Sequence, residues 1–334
     1  MTTPMPSAPV QTNRRGQHRR SEAEVRPDFF IVGAPKCGTT AMAEYLAAHP
    51  DIFMARKEMH FFGRDLRFAP HFYRRAEREY LAEFKGWDGQ SRIGEASVWY
   101  LFSEAAAAEI KAFNPAARII VMLREPVEMM YSLFQYFRYD GNEPLATFEA
   151  ALAAEAQRRA GRGAGRQTYF APGLVYRETA RFARQVARYF DVFGRSQVRV
   201  VFYEDMVADP SAVYRDTLEF LEVDSTFSLP QFDRINAGKS VKSRALRAVL
   251  NDPATRAAVL AVRPWVPQAV FHALHRVERA LDRANSSVTP APALAPELKG
   301  RLRHEFAAEV GQLSDLIGRD LTHWTRDHRQ EQKP

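Results

Sequence analysis

The stretch that most constrains this chain is Gly33-Ala34-Pro35-Lys36-Cys37-Gly38-Thr39-Thr40. It follows the apolar run Phe29-Phe30-Ile31-Val32 and precedes a helical pattern from Ala41 to Ala48. A buried strand, a tight glycine loop and a helix N-terminus in succession cradle an anion on backbone N–H groups. The frame is Gly, four residues, Gly, then two positions that nucleotide-binding loops fill with Lys and Ser or Thr. Here Thr39 holds the lysine position, and the lysine sits inside the loop as Lys36. Such a loop can hold a phosphate-like anion, but it lacks the lysine that ATPases and GTPases aim at the terminal phosphates.

The rest of the chain alternates strand-like and helix-like segments. Phe29–Val32 is a short buried run typical of a central parallel strand, and Ile52–Met54, Ser91–Ala96, Arg118–Leu123 and Val198–Phe202 read as further strands. Helices are expected from Met42 through Leu46, ending at His49-Pro50, and across 65–85 with Phe72, Tyr80 and Phe84 inward. Others are expected over Ser103–Phe113 with Ser103 as N-cap, from Pro126 to Tyr139, over Leu174–Phe190, from Pro210 to Leu221 and over 297–317. Gly161 to Gly165 reads as a flexible loop. Alternation of this kind predicts an α/β fold: a P-loop NTPase-like parallel sheet flanked by helices on both faces. Ligands in such sheets bind beyond the carboxyl ends of the strands, where Lys36, Glu58 and Arg124 fall. Residues 1–26 are polar and Arg-rich and read as a disordered tail, leaving 27–325 as a single domain with 246–295 as a helical cap or lid.

Composition narrows the function. The net charge of the 334-residue chain is +7, and five Arg against two Glu place +3 of it in residues 1–26. The mild excess left suits an anionic co-substrate and does not call for a nucleic-acid partner. Cys37 is the only cysteine, so no disulfide within the chain and no cysteine-based metal site can form. No run approaches 18 apolar residues, so stable membrane insertion is not expected, and a cytoplasmic location is the expectation. A homodimer is allowed. Only eight of the 47 basic residues are lysines, and Lys36, Lys57, Lys239 and Lys242 lie in segments expected at the site. A compact ammonium is not interchangeable with a guanidinium, so their retention points to chemistry.

The segment FFIVGAPKCGTT resembles the 5′-phosphosulfate-binding loop of sulfotransferases that use 3′-phosphoadenosine-5′-phosphosulfate (PAPS). KEMHFF at 57–62, IGEAS at 93–97, RIIVMLREPVEMMYSLFQ at 118–135 and VVFYEDMVADP at 200–210 follow in the order of that family. The blocks cover about residues 27–245 and are closest to the branch that includes glycosaminoglycan sulfotransferases and bacterial relatives.

The resemblance implies a division of labour. Pro35, Lys36, Cys37, Gly38, Thr39 and Thr40 would hold the phosphosulfate, with Lys36 meeting charge on the leaving oxygen. Arg124 and Ser132 match the Arg and Ser that take the 3′-phosphate, and Lys239 and Arg244 lie in a basic loop resembling the one that closes over the nucleotide. Glu58 matches the general base, with His60 as second candidate. If the segment is extended, Glu58 and His60 point to one side and Met59 to the other. Ala96 stands where glycosaminoglycan enzymes often carry Lys, and Val98 where they commonly carry Pro, which counts against a heparan-like polyanion as acceptor.

The expected reaction is sulfuryl transfer from PAPS to a hydroxylated carbohydrate, lipid or small molecule, with an amine as second choice and no metal. Cys37 is expected to fill space in the loop. The alternatives are a small-molecule kinase, which would need a lysine where Thr39 stands, and a non-catalytic module binding nucleotide or an anionic polymer, which would need no base.

Overall fold

The computed structural model describes residues 25–69, 76–165, 167–229, 231–232, 239–241, 286–288 and 292–326. Five strands, β1 (Phe29–Gly33), β2 (Ile52–Met54), β3 (Arg92–Ala96), β4 (Arg118–Leu123) and β5 (Val198–Phe202), form one sheet in the order β2-β3-β1-β4-β5. Every neighbouring pair is parallel, with Phe30 opposite Glu95 on one side and Ile119 on the other. The helices are α1 (Thr39–Ala47), α2 (Glu77–Ala82), α3 (Ala106–Phe113), α4 (Pro126–Asp140), α5 (Phe148–Ala153), α6 (Glu155–Arg159), α7 (Tyr176–Thr179), α8 (Phe182–Phe193), α9 (Tyr203–Ala208), α10 (Pro210–Leu221), α11 (Pro296–Glu305) and α12 (Ala307–Ile317). A short antiparallel pair, β6 (Lys239–Val241) with β7 (Ser286–Val288), stands apart from the main sheet, and β6 lies near α4.

The layering follows from crossover handedness. The chain leaves β1 toward β2 on one side, returns to β3, and then crosses β1 to reach β4. Right-handed crossovers in opposite directions put α1 and α3 on opposite faces. Accordingly α1 packs with α10, and α3 packs with α8, which in turn carries α12. β1 and β4 are buried on both sides, as strands covered by helices on both faces must be. One apolar cluster runs from Phe29 to Trp324.

Several expected boundaries shift for physical reasons. Among the described residues of 65–85 only α2 is helical; Tyr80 and Phe84 do point inward, and Phe72 lies outside the described residues. Helix α3 begins three residues after Ser103, whose Oγ accepts from the amides of Ala105 (3.1 Å) and Ala106 (2.9 Å) in the preceding turn. The helix expected over Leu174–Phe190 is broken. Residues Ala171–Leu174 form a 3₁₀ turn, and the chain bends between α7 and α8, where Gln185 Nε2 donates to the carbonyls of Glu178 and Thr179 and Glu309 accepts from the Ala183 amide at 2.8 Å. These side chains satisfy the groups that a continuous helix would have paired. The 297–317 segment is two helices, α11 and α12, hinged at the buried Phe306. Most of 246–295 lies outside the described residues, as do 1–24.

Candidate active site

All five strand ends deliver residues to one rim of the sheet: the loop 33–38 after β1, Lys57 to Phe62 after β2, Ser97 to Tyr100 after β3, Arg124 after β4 and Tyr203 after β5. This is the carboxyl edge, and the β1–β4 gap is where the strand order reverses. The loop is shaped by two glycines. A Cβ on Gly33 (φ +146°) would meet the Val98 carbonyl at 2.5 Å, and one on Gly38 (φ +88°) would meet the Met206 methyl at 2.4 Å. Gly38 caps α1 in the left-handed region, so the first amides of the helix face the loop without a side chain in the way.

Lys36 is itself left-handed (φ 65°), and its ammonium lies 4.8 Å from the centre of the Tyr136 ring. Pro35 and Cys37 flank it. The Cys37 thiol is buried and donates to the Pro35 carbonyl at 3.4 Å, and burial pushes it far above the range in which a thiolate forms. Its place in the loop is steric.

A second cation reaches the loop from the segment after β2: Lys57, which the sequence singled out only as a retained lysine. Its Nζ donates to Thr40 Oγ1 at 2.8 Å and to Thr39 Oγ1 at 3.3 Å, and lies 3.9 Å from Glu58 Oε1. Burial lowers its pKa, and Glu58 and Glu44 oppose that shift. An ammonium therefore stands beside the hydroxyls that open α1, although Thr39 replaces the loop lysine of ATPases. The only sequence signal was the scarcity of lysine.

Glu58 accepts from the Val98 amide at 3.3 Å and keeps about a third of its side chain exposed (36%). The surrounding protein pushes its carboxyl above the usual glutamate range, and Lys57 and the Val98 amide pull it back. The expectation of an extended segment is corrected here: Glu58 (φ 59°) and His60 (φ 51°) are both left-handed. The alternation of sides expected of an extended segment therefore does not apply. His60 is buried, 4.5 Å from the Phe68 ring, which continues through Phe170 to Trp99. Among the described residues four non-glycine positions have positive φ, and Lys36, Glu58 and His60 are three of them. Each costs about 1–2 kcal/mol, and strain of this kind collects at functional sites.

Arg124 has an intrachain partner, Glu128 (3.3 Å), and its guanidinium sits 4.8 Å from the Tyr203 ring centre. Glu128 also binds Lys299 from α11. Glu128, Ser132 and Tyr136 recur every fourth residue along α4, so one stripe links Arg124 at its start to Lys36 further along. Lys239 is in β6, near α4, and its side chain lies outside the described residues together with Arg244 and Lys242. Among the described residues no group of three or more His, Cys, Asp and Glu is arranged to hold a metal ion, and no helix is long and apolar enough to cross a membrane.

Comparison with known proteins agrees with this geometry. The sulfotransferase-domain family profile matches residues 26–243. Carbohydrate sulfotransferase 15 of Homo sapiens is 35% identical over 153 residues, 33% of this chain and 27% of that protein. Bifunctional heparan sulfate N-deacetylase/N-sulfotransferase 1 of Caenorhabditis briggsae is 24% identical over 212 residues, 62% of this chain and 23% of that protein. The match thus spans about a quarter of the length of these relatives. A solved sulfotransferase from Alicyclobacillus acidocaldarius is 32% identical with a TM-score of 0.67, over 90% of this chain and 100% of that one. A glycine loop with its lysine displaced, a second lysine on its threonines and a carboxyl next to it are thus features of a member of the sulfotransferase family, to which this chain belongs.

Proposed function

We propose that the protein transfers the sulfuryl group of PAPS to a hydroxyl of a carbohydrate acceptor, with an amine as second choice. The observation that carries this reading is the contact of Lys57 with Thr39 and Thr40 while Glu58 stands beside it. It puts two lysines and one carboxyl of raised pKa at a single anion-binding loop.

In this reading the phosphosulfate rests on the amides of 36–40, between Lys36 and Lys57; Pro35 has no N–H and the Ala34 amide is taken by the Met122 carbonyl. Glu58 takes the proton of the acceptor hydroxyl as its oxygen attacks sulfur. The bond from sulfur to the 5′-phosphate oxygen breaks in line, and the charge on that oxygen is met by Lys36 and the loop amides. The products are the sulfated acceptor and adenosine 3′,5′-bisphosphate. Arg124 and Ser132 hold the 3′-phosphate, which replaces Glu128 as the partner of Arg124; Lys239 and Arg244 close over the nucleotide. A sulfuryl group carries less charge than a phosphoryl group, so side chains can serve without a metal. The names of the relatives favour a carbohydrate acceptor. Ala96, fully buried, offers no cation to a polyanion. The single cysteine, which needs no oxidising compartment, is the ground for proposing a cytoplasmic enzyme.

Titration of nucleotides tests the donor. A hydrogen bond to a charged group is worth about 1.5–3 kcal/mol, so two contacts to the 3′-phosphate, discounted for non-additivity, give adenosine 3′,5′-bisphosphate at least ~30-fold tighter binding than adenosine 5′-monophosphate. Arg124→Ala should remove most of that preference. Equal affinity of the wild type for both nucleotides, or tighter binding of ATP with magnesium, would overturn the assignment. Labelled PAPS offered to sugars, phenols, lipids and amines identifies the acceptor.

A further inference from the structure

The segment that carries Glu58 and His60 has no regular secondary structure, yet it holds two left-handed residues. Its backbone is held by the turn after β3. The Glu58 amide donates to the Ala96 carbonyl at 2.8 Å and the Met59 amide to Ser97 Oγ at 3.0 Å. The amides of Phe61 and Phe62 both donate to the Tyr100 hydroxyl, at 2.9 and 3.3 Å. Two side chains therefore grip the backbone on either side of His60 and immediately after Glu58.

Those two side chains share one anchor. An amide N–H only donates, so Ser97 Oγ and the Tyr100 oxygen accept, and each must send its own proton elsewhere. Ser97 sends it to Glu95 Oε1 at 2.7 Å, and the charge of the same carboxyl acts on the buried Tyr100 hydroxyl. Tyr80 of α2 donates to Glu95 Oε2 at 2.7 Å. Glu95 and Ser97 are fully buried, and so are Tyr80 and Tyr100. We infer that Glu95 is a positioning residue for the base: through Ser97 and Tyr100, its carboxylate fixes the backbone of residues 58–62 and so keeps Glu58 beside Lys57 and the loop. The inference rests on Glu58 being the base.

The proton arrangement makes the grip depend on ionisation. An ionised Glu95 accepts from the hydroxyls of Ser97 and Tyr80. A protonated Glu95 must donate, so one hydroxyl has to turn toward it and give up its present bond. Burial pushes the Glu95 carboxyl up to about 7, against the pull of Ser97, Tyr80 and Tyr100 and with a further push from Glu58. Tyr189 of α8, whose hydroxyl donates to the Tyr100 carbonyl, also senses the charge of Glu95. As pH falls through about 7, Glu95 gains its proton and the hold on the base segment weakens.

Amide hydrogen exchange on the whole protein reads this without any turnover. Corrected for intrinsic rates, protection at Met59, Phe61 and Phe62 should fall at least ~10-fold between pH 8 and pH 6 in the wild type, which is the tenfold per unit expected of a one-proton switch. In Glu95→Gln it should be low at both pH values. Turnover supplies the second readout: Glu95→Gln, Ser97→Ala and Tyr100→Phe should each lower kcat by ~10- to 100-fold, the scale of a misplaced catalytic group, with affinity for adenosine 3′,5′-bisphosphate unchanged. Ser97→Thr, which keeps the hydroxyl, should restore kcat. If Glu95→Gln does not fold, Ser97→Ala and Tyr100→Phe decide. Wild-type protection at these amides in the variants refutes the inference, and so does a joint fall of kcat, nucleotide affinity and thermal midpoint, which marks a purely structural role. Failure of the base assignment is distinct: Glu58→Gln would then stay active while the exchange result still judged Glu95.

Discussion

Replacing Glu95 by Gln should change how stability depends on pH, by an amount the structure supplies. Burial raises the carboxyl from an ordinary 4.5 to about 7, and Gln in its place cannot titrate. Because folding raises the pKa, the folded chain holds a proton that the unfolded chain releases. The stabilisation from this group is complete below 4.5 and is lost as pH rises through 7. Each pH unit in that window is worth about 1.4 kcal/mol. Between pH 5.5 and the upper pKa the wild type therefore loses about 2 kcal/mol relative to Glu95→Gln, and nothing further above it. Carboxyls that do not sense Glu95 titrate alike in both proteins and cancel in the difference, and the coupled Glu58 is removed by comparing the two in a Glu58→Gln background. Urea unfolding followed by tryptophan fluorescence at pH 5.5, 6.5, 7.5 and 8.5 gives the two curves. A wild-type deficit that stays flat to within about 0.5 kcal/mol would show that Glu95 titrates as an exposed glutamate, and one that shrinks as pH rises would give its shift the opposite sign; either result overturns the assignment. The ionised form that accepts from Ser97 and Tyr80 is thus the form that costs stability, a conflict common at sites built for activity.

Loss of Lys36 as Lys36→Ala should leave the circular dichroism spectrum intact and depress turnover at least ~100-fold, as for one preorganised donor; near-normal turnover would remove Lys36 from the mechanism. Lys57→Met keeps the stem and removes the cation that lowers the Glu58 pKa, so the acid limb of kcat against pH should move to higher pH; an unmoved limb would separate Lys57 from the base. EDTA should not abolish activity, and a strict need for added magnesium would favour a kinase. The pair Arg158–Glu143 is fully buried at 2.7 Å, and Tyr176 also donates to Glu143. Arg158→Met strands that carboxylate and should cost about 3–5 kcal/mol in chemical unfolding; a cost under 1 would show that Tyr176 and the Leu145 amide suffice.

The parallel strands were legible as short runs set between helix-like segments, β1 and β4 most clearly because they are apolar and buried on both faces. Arg118–Leu123, Ile52–Met54 and Val198–Phe202 coincide with the expected limits, and Phe29–Val32 extends by one residue to Gly33. Helix continuity was less legible. The bend before Phe182 depends on Gln185 and on Glu309, 126 positions away from Ala183, and periodicity within a window carries no trace of such a partner. The site divides in the same way. The loop and Lys36 could be read because their spacing is local. The link from Lys57 to Thr40, 17 positions apart, exists only once β2 and β1 lie in one sheet. The left-handed turns at Glu58 and His60 escaped because neither is Gly or Asn, the residues that ordinarily signal that conformation. The hydroxyls of Ser97 and Tyr100 that stabilise these turns come from another strand end.

The docking of α11 onto α4 sets the smallest piece of this protein that can be expected to handle a charged nucleotide. The family profile ends at residue 243, and the blocks from the loop at 33–40 to VVFYEDMVADP at 200–210 lie before it. Yet Lys299 neutralises Glu128, and Arg303 lies 3.4 Å from the buried Glu125, which caps α4 by accepting from the Glu128 amide. A fragment trimmed just past Arg244 would keep the loop, the Glu58 segment, Arg124, Ser132 and the basic loop, and would strip both counter-ions. Glu125 and Glu128 would then compete with a phosphate for Arg124, and a titration of adenosine 3′,5′-bisphosphate into such a fragment should show weakened binding even with the sheet intact. Motif boundaries mark where similarity fades; the charge balance around α4 closes some 60 residues later, in α11.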